Sequence, residues 1–142
     1  MKKTYTVDTI RLFQLFSKIT SIQPTDCFSA GNFLVFIIPK KLVAKAIGKE
    51  GKNIKQIRET LNREIKVIEE ADSAETLIKN FLFPLKVKRV DILENNQGSY
   101  AEIEFMNRKD RRVLLSNQQD VLKCLKDVVL HFYPEILDVR VV

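Results

Sequence analysis

Four residues in the first half of the chain, Gly48-Lys49-Glu50-Gly51, combine types that could hold a phosphate. Two glycines three positions apart let a backbone turn sharply and leave no side chain above the turn. Amide N–H groups at such a turn, beside the positive end of a following helix, suit an anion. The neighbourhood carries the matching charge: residues 39–58 hold seven Lys or Arg and one acid, Glu50. Lys45, Lys52 and Lys55 would add attraction, and Lys49 inside the turn is the better placed for contact. Glu50 would repel a phosphate unless it points away. No catalytic set of comparable quality is present. His131 is the only histidine, so no His-based triad or metal cluster can be assembled within the chain. Cys27 and Cys124 are the only cysteines, which makes neither a disulfide framework nor a zinc site and reads as two small buried apolar residues. Acidic pairs such as Glu102 and Glu104 fit a solvated strand face. The expectation is a binding protein with no catalytic residues, no metal and no cofactor.

A glycine turn is useful only when rigid elements hold it. Before the turn, Leu42, Val43, Ala46 and Ile47 fall on one side of a helix; after it, Ile54, Ile57 and Leu61 are spaced i, i+3, i+7. The stretch therefore reads as helix, tight loop, helix. Upstream, residues 7–20 read as an amphipathic helix with Ile10, Phe13, Phe16 and Ile19 on one face, capped by Thr6 or Asp8 and blocked by Pro24. An extended piece near 26–29 and a turn at Gly31-Asn32 lead into Phe33-Leu34-Val35-Phe36-Ile37-Ile38, a strand covered on both faces or central in its sheet. Residues 64–69 form the next strand. Residues 70–73 read as a boundary, where Asp72 followed by Glu75 has the form of a helix cap. A helix with Leu77, Ile78, Phe81 and Leu82 on one face then runs to Pro84. A strand over 86–93, a hairpin turn at 95–98 and a cleanly alternating strand over 100–105 come next. Helices over 108–115 and 117–131 and a last strand over 137–142 complete the chain.

The second half repeats the order of the first, and the repeat is also positional: Val35 and Ile37 correspond to Ile103 and Phe105, and Ile54, Ile57 and Leu61 to Leu122, Leu125 and Val129, at one offset in numbering. This predicts two copies of one α/β unit, residues 1–72 and 73–142. The copies differ where it matters. Gly48-Lys49-Glu50-Gly51 aligns with Ser116-Asn117-Gln118-Gln119, which lacks both glycines and has the form of a capping box. Residues 1–72 carry a net +5, from thirteen basic and eight acidic residues; residues 73–142 carry +1, from eleven and ten. Arg108, Lys109, Arg111 and Arg112 still make one segment of the second copy basic, either as backbone contacts or as a solvated helix face.

The chain as a whole has 142 residues, 45% of them hydrophobic, a net charge of +6 and a pI near 9.4. That supplies a core and favours an anionic partner without naming one. No apolar run reaches the roughly 18 residues of a membrane span, and the N-terminal residues lack a signal core, so the expectation is a cytoplasmic protein with no membrane contact.

The run Ile47-Gly48-Lys49-Glu50-Gly51-Lys52-Asn53-Ile54, with Ile57 behind it, resembles the KH family of single-stranded nucleic-acid binders. With the helix-first order of each half, the resemblance is to the type II, prokaryotic-type KH fold. It implies an α+β protein of two tandem KH domains, each a three-stranded sheet covered by helices. A first helix reading Val7-Asp8-Thr9-Ile10-Arg11-Leu12-Phe13 is similar to that of archaeal NusA-like transcription factors. Carried over residue by residue, the resemblance implies that Gly48, Lys49, Glu50 and Gly51 clamp an RNA backbone. Lys45, Lys52, Asn53 and Lys55 support the clamp, and Val43, Ile47 and Ile54 give the bases an apolar floor. The implied function is single-stranded RNA binding in transcription termination or antitermination, with RNA polymerase or a transcription complex as partner. The alternative is an interaction or assembly module of a ribosomal or polymerase complex, motivated by the apolar strand 33–38 and the cluster Phe81-Leu82-Phe83.

Overall fold

A computed structural model describes residues 7–116 and 120–142. They form two compact units, one of residues up to Ser29 with Phe33–Glu70, the other of Ala30–Asn32 with Ala71–Val142. Thr6, expected as a possible cap, and the loop positions Asn117, Gln118 and Gln119 lie outside the described residues.

In the first unit the order is α1 (Val7–Thr20), β1 (Asp26–Ala30), β2 (Phe33–Ile38), α2 (Val43–Ile47), a single 3-10 turn (Lys49–Gly51), α3 (Lys52–Leu61) and β3 (Glu64–Glu69). The sheet order is β1-β2-β3, and β2 runs parallel to β3 with Phe33 opposite Glu64 and Ile38 opposite Glu69. A parallel neighbour needs a crossover, and α2–α3 supply it. The helical spacing of α1 brings Phe16 onto Phe36, ring centroids 4.5 Å apart, with both rings buried. Leu34, Phe36 and Ile38 share one core with Phe16, Ile22, Ala46 and Ile57. Full burial of each Leu, Ile or Phe side chain among them stabilises by roughly 1.5–3 kcal/mol. The continuous apolar run of β2 is explained by its setting: it is the middle strand, and all six of its residues are buried.

In the second unit the order is α4 (Ala74–Leu82), β4 (Val87–Asn95), β5 (Gly98–Phe105), α5 (Arg108–Leu115), α6 (Val121–Phe132) and β6 (Ile136–Val141). The sheet order is β4-β5-β6, antiparallel then parallel. Asn95 pairs with Gly98 across a two-residue turn, and the Asn95 side-chain oxygen accepts from the N–H groups of Gln97 and Gly98. Along β5, Ala101, Ile103 and Phe105 are buried while Glu102 and Glu104 stay half-exposed. The two units are tandem type II KH domains, each a three-stranded sheet with helices, and the class is α+β.

Three local expectations need correction. The cap of α4 is Ser73, which accepts from the Thr76 N–H at 3.2 Å; the cap therefore sits one residue later than an Asp72–Glu75 pair would place it. Ser116 does not cap α6. Its hydroxyl donates back to the Val113 carbonyl, closing α5, and α6 begins only at Val121 with Asp120 in the left-handed conformation before it. The constant offset between the copies also fails at the strand. Leu34, Phe36 and Ile38 face the helices of their unit, yet that offset pairs them with Glu102, Glu104 and Met106, none of which is buried. So Val35 and Ile37 do not correspond to Ile103 and Phe105; the strands are shifted by one. Strand alternation has period two, and a one-residue slip exchanges the faces. The error was invisible in β2 because both its faces are apolar.

Candidate nucleic-acid interface

Strand β2 ends at Ile38, and Pro39 prevents its simple continuation. The connection is pinned to the sheet: the Lys41 N–H, on a residue with φ +69°, donates to the Glu69 carboxylate at 2.7 Å. Helix α2 follows for only five residues. Its Ala46 is buried, which fixes the helix against the core and leaves Lys45 exposed. At the end of α2 the Gly48 N–H donates to the Ala44 carbonyl, and Gly48 adopts φ +81°, ψ 169°, a combination that L side chains essentially do not reach. The Gly51 N–H then returns to the Gly48 carbonyl at 3.1 Å and the Lys52 N–H to the Lys49 carbonyl. Glu50 and Gly51 are both left-handed, at φ +56° and +73°. A Cβ at Gly51 would meet nothing within 4 Å, so this side of the turn is open. Helix α3 starts directly from Gly51, which has no side chain to cap it. The start of α3 therefore carries no side-chain cap, and its positive end faces the turn.

Lys45, Lys49, Lys52 and Lys55 are exposed, and no ion pair engages them among the described residues. The three apolar candidates separate. Val43 and Ile54 are half-buried and pack against the core, whereas Ile47 is 37% exposed. Helices α2 and α3 both pack against β3, the edge strand of its sheet. Ile65 and Val67 of β3 are half-buried on the same core and face the helices, pairing with Leu34 and Phe36. They add half-buried aliphatic surface beside α2 and α3, marked in the sequence only by the alternation of Ile65 and Val67 in 64–69. Asn53 is tied down: its side-chain amide donates to the Lys45 carbonyl at 3.2 Å.

The second unit presents a different chemistry. Asn107 caps α5 by accepting from the Asp110 N–H at 2.8 Å, and Arg108, Lys109, Arg111 and Arg112 are exposed. Arg111 donates to the Val142 carbonyl. On the sheet, Arg89 is hydrogen-bonded to Glu104 and Asp91 and paired with Glu102. Arg140 lies 4.2 Å from the Tyr100 ring and pairs with Asp138. The hydrogen bond from Arg89 holds the Glu104 carboxyl below its usual range, and that bond in turn raises Arg89. Burial alone would raise Asp138; hydrogen bonds from Lys126 and the Val139 N–H outweigh it and hold the carboxyl low. Among the described residues no His, Cys, Asp and Glu group could hold a metal ion, and no helix is long and apolar enough to cross a membrane.

Two helix-and-sheet units of this topology, one with a G-x-x-G turn between its paired helices, define a tandem KH protein. The comparisons agree. A family model described as "KH domain" matches residues 34–79, from within β2 through the turn and β3 into α4. The chain is similar to a "Probable transcription termination protein NusA" of Halococcus morrhuae, 28% identical over 124 residues that make up 87% of each chain. A protein with the same description from Methanocaldococcus jannaschii is 29% identical over 88% of this chain and 70% of its own length. The fold is also that of the crystal structure of APE1850, with TM-score 0.80 and 25% identity over 97% of this chain and all of that one. The chain is thus similar to KH-domain proteins of the archaeal NusA type.

Proposed function

We propose that this protein binds single-stranded RNA through the first unit and acts in transcription termination, the role in which the NusA relatives are named, or in antitermination, as part of a transcription complex that contains RNA polymerase. The observation that carries the reading is the turn at 48–51: open above Gly51, seated at an uncapped helix start and flanked by four exposed lysines beside an aliphatic lining. An open turn of backbone amides suits phosphate, and Val43, Ile47, Ile54, Ile65 and Val67 offer unstacked bases an apolar surface. The reading is of a non-enzymatic factor. The assembly-module alternative loses part of its motivation, because residues 33–38 are all buried and Phe81 and Leu82 are core. It rests on Phe83, which is 72% exposed.

The test is a pair of loop variants. Changing Lys49 and Glu50 both to Asp places two carboxylates where the phosphate should sit and keeps both glycines. Binding to a short single-stranded RNA should fall by tenfold or more, as expected for about 1.4 kcal/mol or above. Asn117 and Gln118 both changed to Asp form the matched control in the second unit, and should cost under about 1 kcal/mol through long-range charge alone. Wild-type affinity should fall with salt at a slope on the order of 2–3 in log–log terms, at about 0.7 per phosphate neutralised on a single strand. Equal losses in the two variants would place a binding site in the second unit as well. No loss in either would remove the clamp and favour the assembly module.

A further inference from the structure

We infer that Asn53 is a positioning residue of the RNA-binding turn, acting through the backbone of Lys45 and Gly48 and not by touching RNA; this rests on the RNA reading above. The end of α2 leaves carbonyls without helical partners, as every helix end does. Lys45 O is taken by the Asn53 side-chain amide, 3.2 Å away and eight residues along the chain. The same side chain lies against the first glycine of the turn: a Cβ at Gly48 would stand 2.8 Å from both Cγ and Nδ2 of Asn53 and 3.1 Å from its backbone nitrogen. One half-buried side chain thus bonds to the last turn of α2, fills the space that Gly48 leaves, and belongs to the first turn of α3.

That placement explains a requirement the turn could not meet alone. Gly51 supplies no cap to α3, so no side chain at the cap position fixes the helix start. The bonds within the turn join Gly51 to Gly48 and Lys52 to Lys49, and neither reaches back to the body of α2. Asn53 makes that link. It also gives Gly48 a second reason to be glycine besides its backbone angles: the amide and a methyl group cannot share the space. Lys45 and Lys49 flank this junction, so the strut holds their backbone where a phosphate chain would meet it.

The assignment predicts an unusual signature for an uncharged residue. In the full chain, Asn53→Ala should weaken single-stranded RNA binding roughly three- to tenfold, the range of one lost hydrogen bond. It should also lower the salt slope by about 0.7, because a displaced turn forfeits a phosphate contact. Asn53→Leu, with similar bulk and no donor, should do the same. Amide hydrogen exchange should quicken at Gly48 and Gly51 in both variants while the amides of β2 keep wild-type protection. If affinity falls with an unchanged slope and unchanged exchange at the turn, Asn53 contacts RNA directly and the inference is wrong. Wild-type behaviour of Asn53→Leu would overturn the hydrogen-bond role and leave packing only. If the wild type binds no RNA, the RNA reading fails, and the exchange measurement still decides whether Asn53 holds the turn.

Discussion

Glu50 is the one residue of the turn whose chemistry works against it. It is exposed, acidic, and held at φ +56°, ψ 28°, a region that costs a residue with a Cβ roughly 1–2 kcal/mol. Replacing it by glycine removes both penalties at once. Glu50→Gly should stabilise the fold by up to about 1 kcal/mol, less the backbone freedom that glycine gains when unfolded. It should also tighten RNA binding, since a charge of the wrong sign leaves the phosphate path. The two native glycines should respond unequally to alanine. Gly51→Ala meets open space and pays only the left-handed penalty of about 1–2 kcal/mol. Gly48→Ala meets Asn53 at 2.8 Å in a region closed to side chains, so its melting temperature should drop further. Thermal unfolding of the three variants checks the order; a Gly51→Ala protein less stable than Gly48→Ala would contradict this account of the turn.

At the scale of elements, local chemistry was read well wherever one rule acted alone. The alternation of 100–105 became β5 because one of its faces is core and the other carries charge. The basic helix–turn–helix was legible because its glycines interrupt two clean periodic runs. What failed was decided by contacts that spacing does not encode. Ser116 has the sequence form of a cap, yet its hydroxyl bonds to Val113 in the preceding helix. Asp72 and Ser73 are both good caps, and only the first turn of α4 selects Ser73, through the Thr76 N–H. The one-residue shift between β2 and β5 was hidden because a strand buried on both faces has no polar residue to mark its register. Among candidate site residues, the lysines and glycines were legible from type and spacing, whereas the role of Asn53 and the lining residues Ile65 and Val67 depend on folding that joins α2, α3 and β3. The cap is directly testable: Ser73→Ala should cost about 1 kcal/mol, and Asp72→Ala much less. Denaturant unfolding of both would show it, and a larger loss for Asp72→Ala would restore the rejected cap.

Across the whole molecule, charge is divided by kind as well as by amount. Residues 1–72 hold most of the net charge, and Lys45, Lys49, Lys52 and Lys55 around the turn enter no ion pair among the described residues, while the sheet of the second unit sets its arginines against carboxylates. Lysines of the turn therefore answer to salt, and the paired sheet answers to acid. Glu104 is held below the usual carboxylate range chiefly by its hydrogen bond from Arg89. A carboxyl whose pKa is lower in the folded state contributes stability above its unfolded value, about 4.3. That contribution disappears as pH falls through the folded value. Asp138, held low against its own burial by Lys126 and the Val139 N–H, acts in the same direction and the same window. The melting temperature should thus be level for this cluster between pH 6 and 8 and decline below about pH 4. Arg89→Met removes the main partner of Glu104, so its curve should lie lower at neutral pH and converge on that of the wild type as falling pH protonates Glu104. The exposed setting keeps the effect small, and 1 M salt should shrink it further. Parallel melting curves for the two proteins from pH 7 to pH 2 would mean that the Arg89 pairing contributes nothing to stability and that the charged sheet face serves solvation alone.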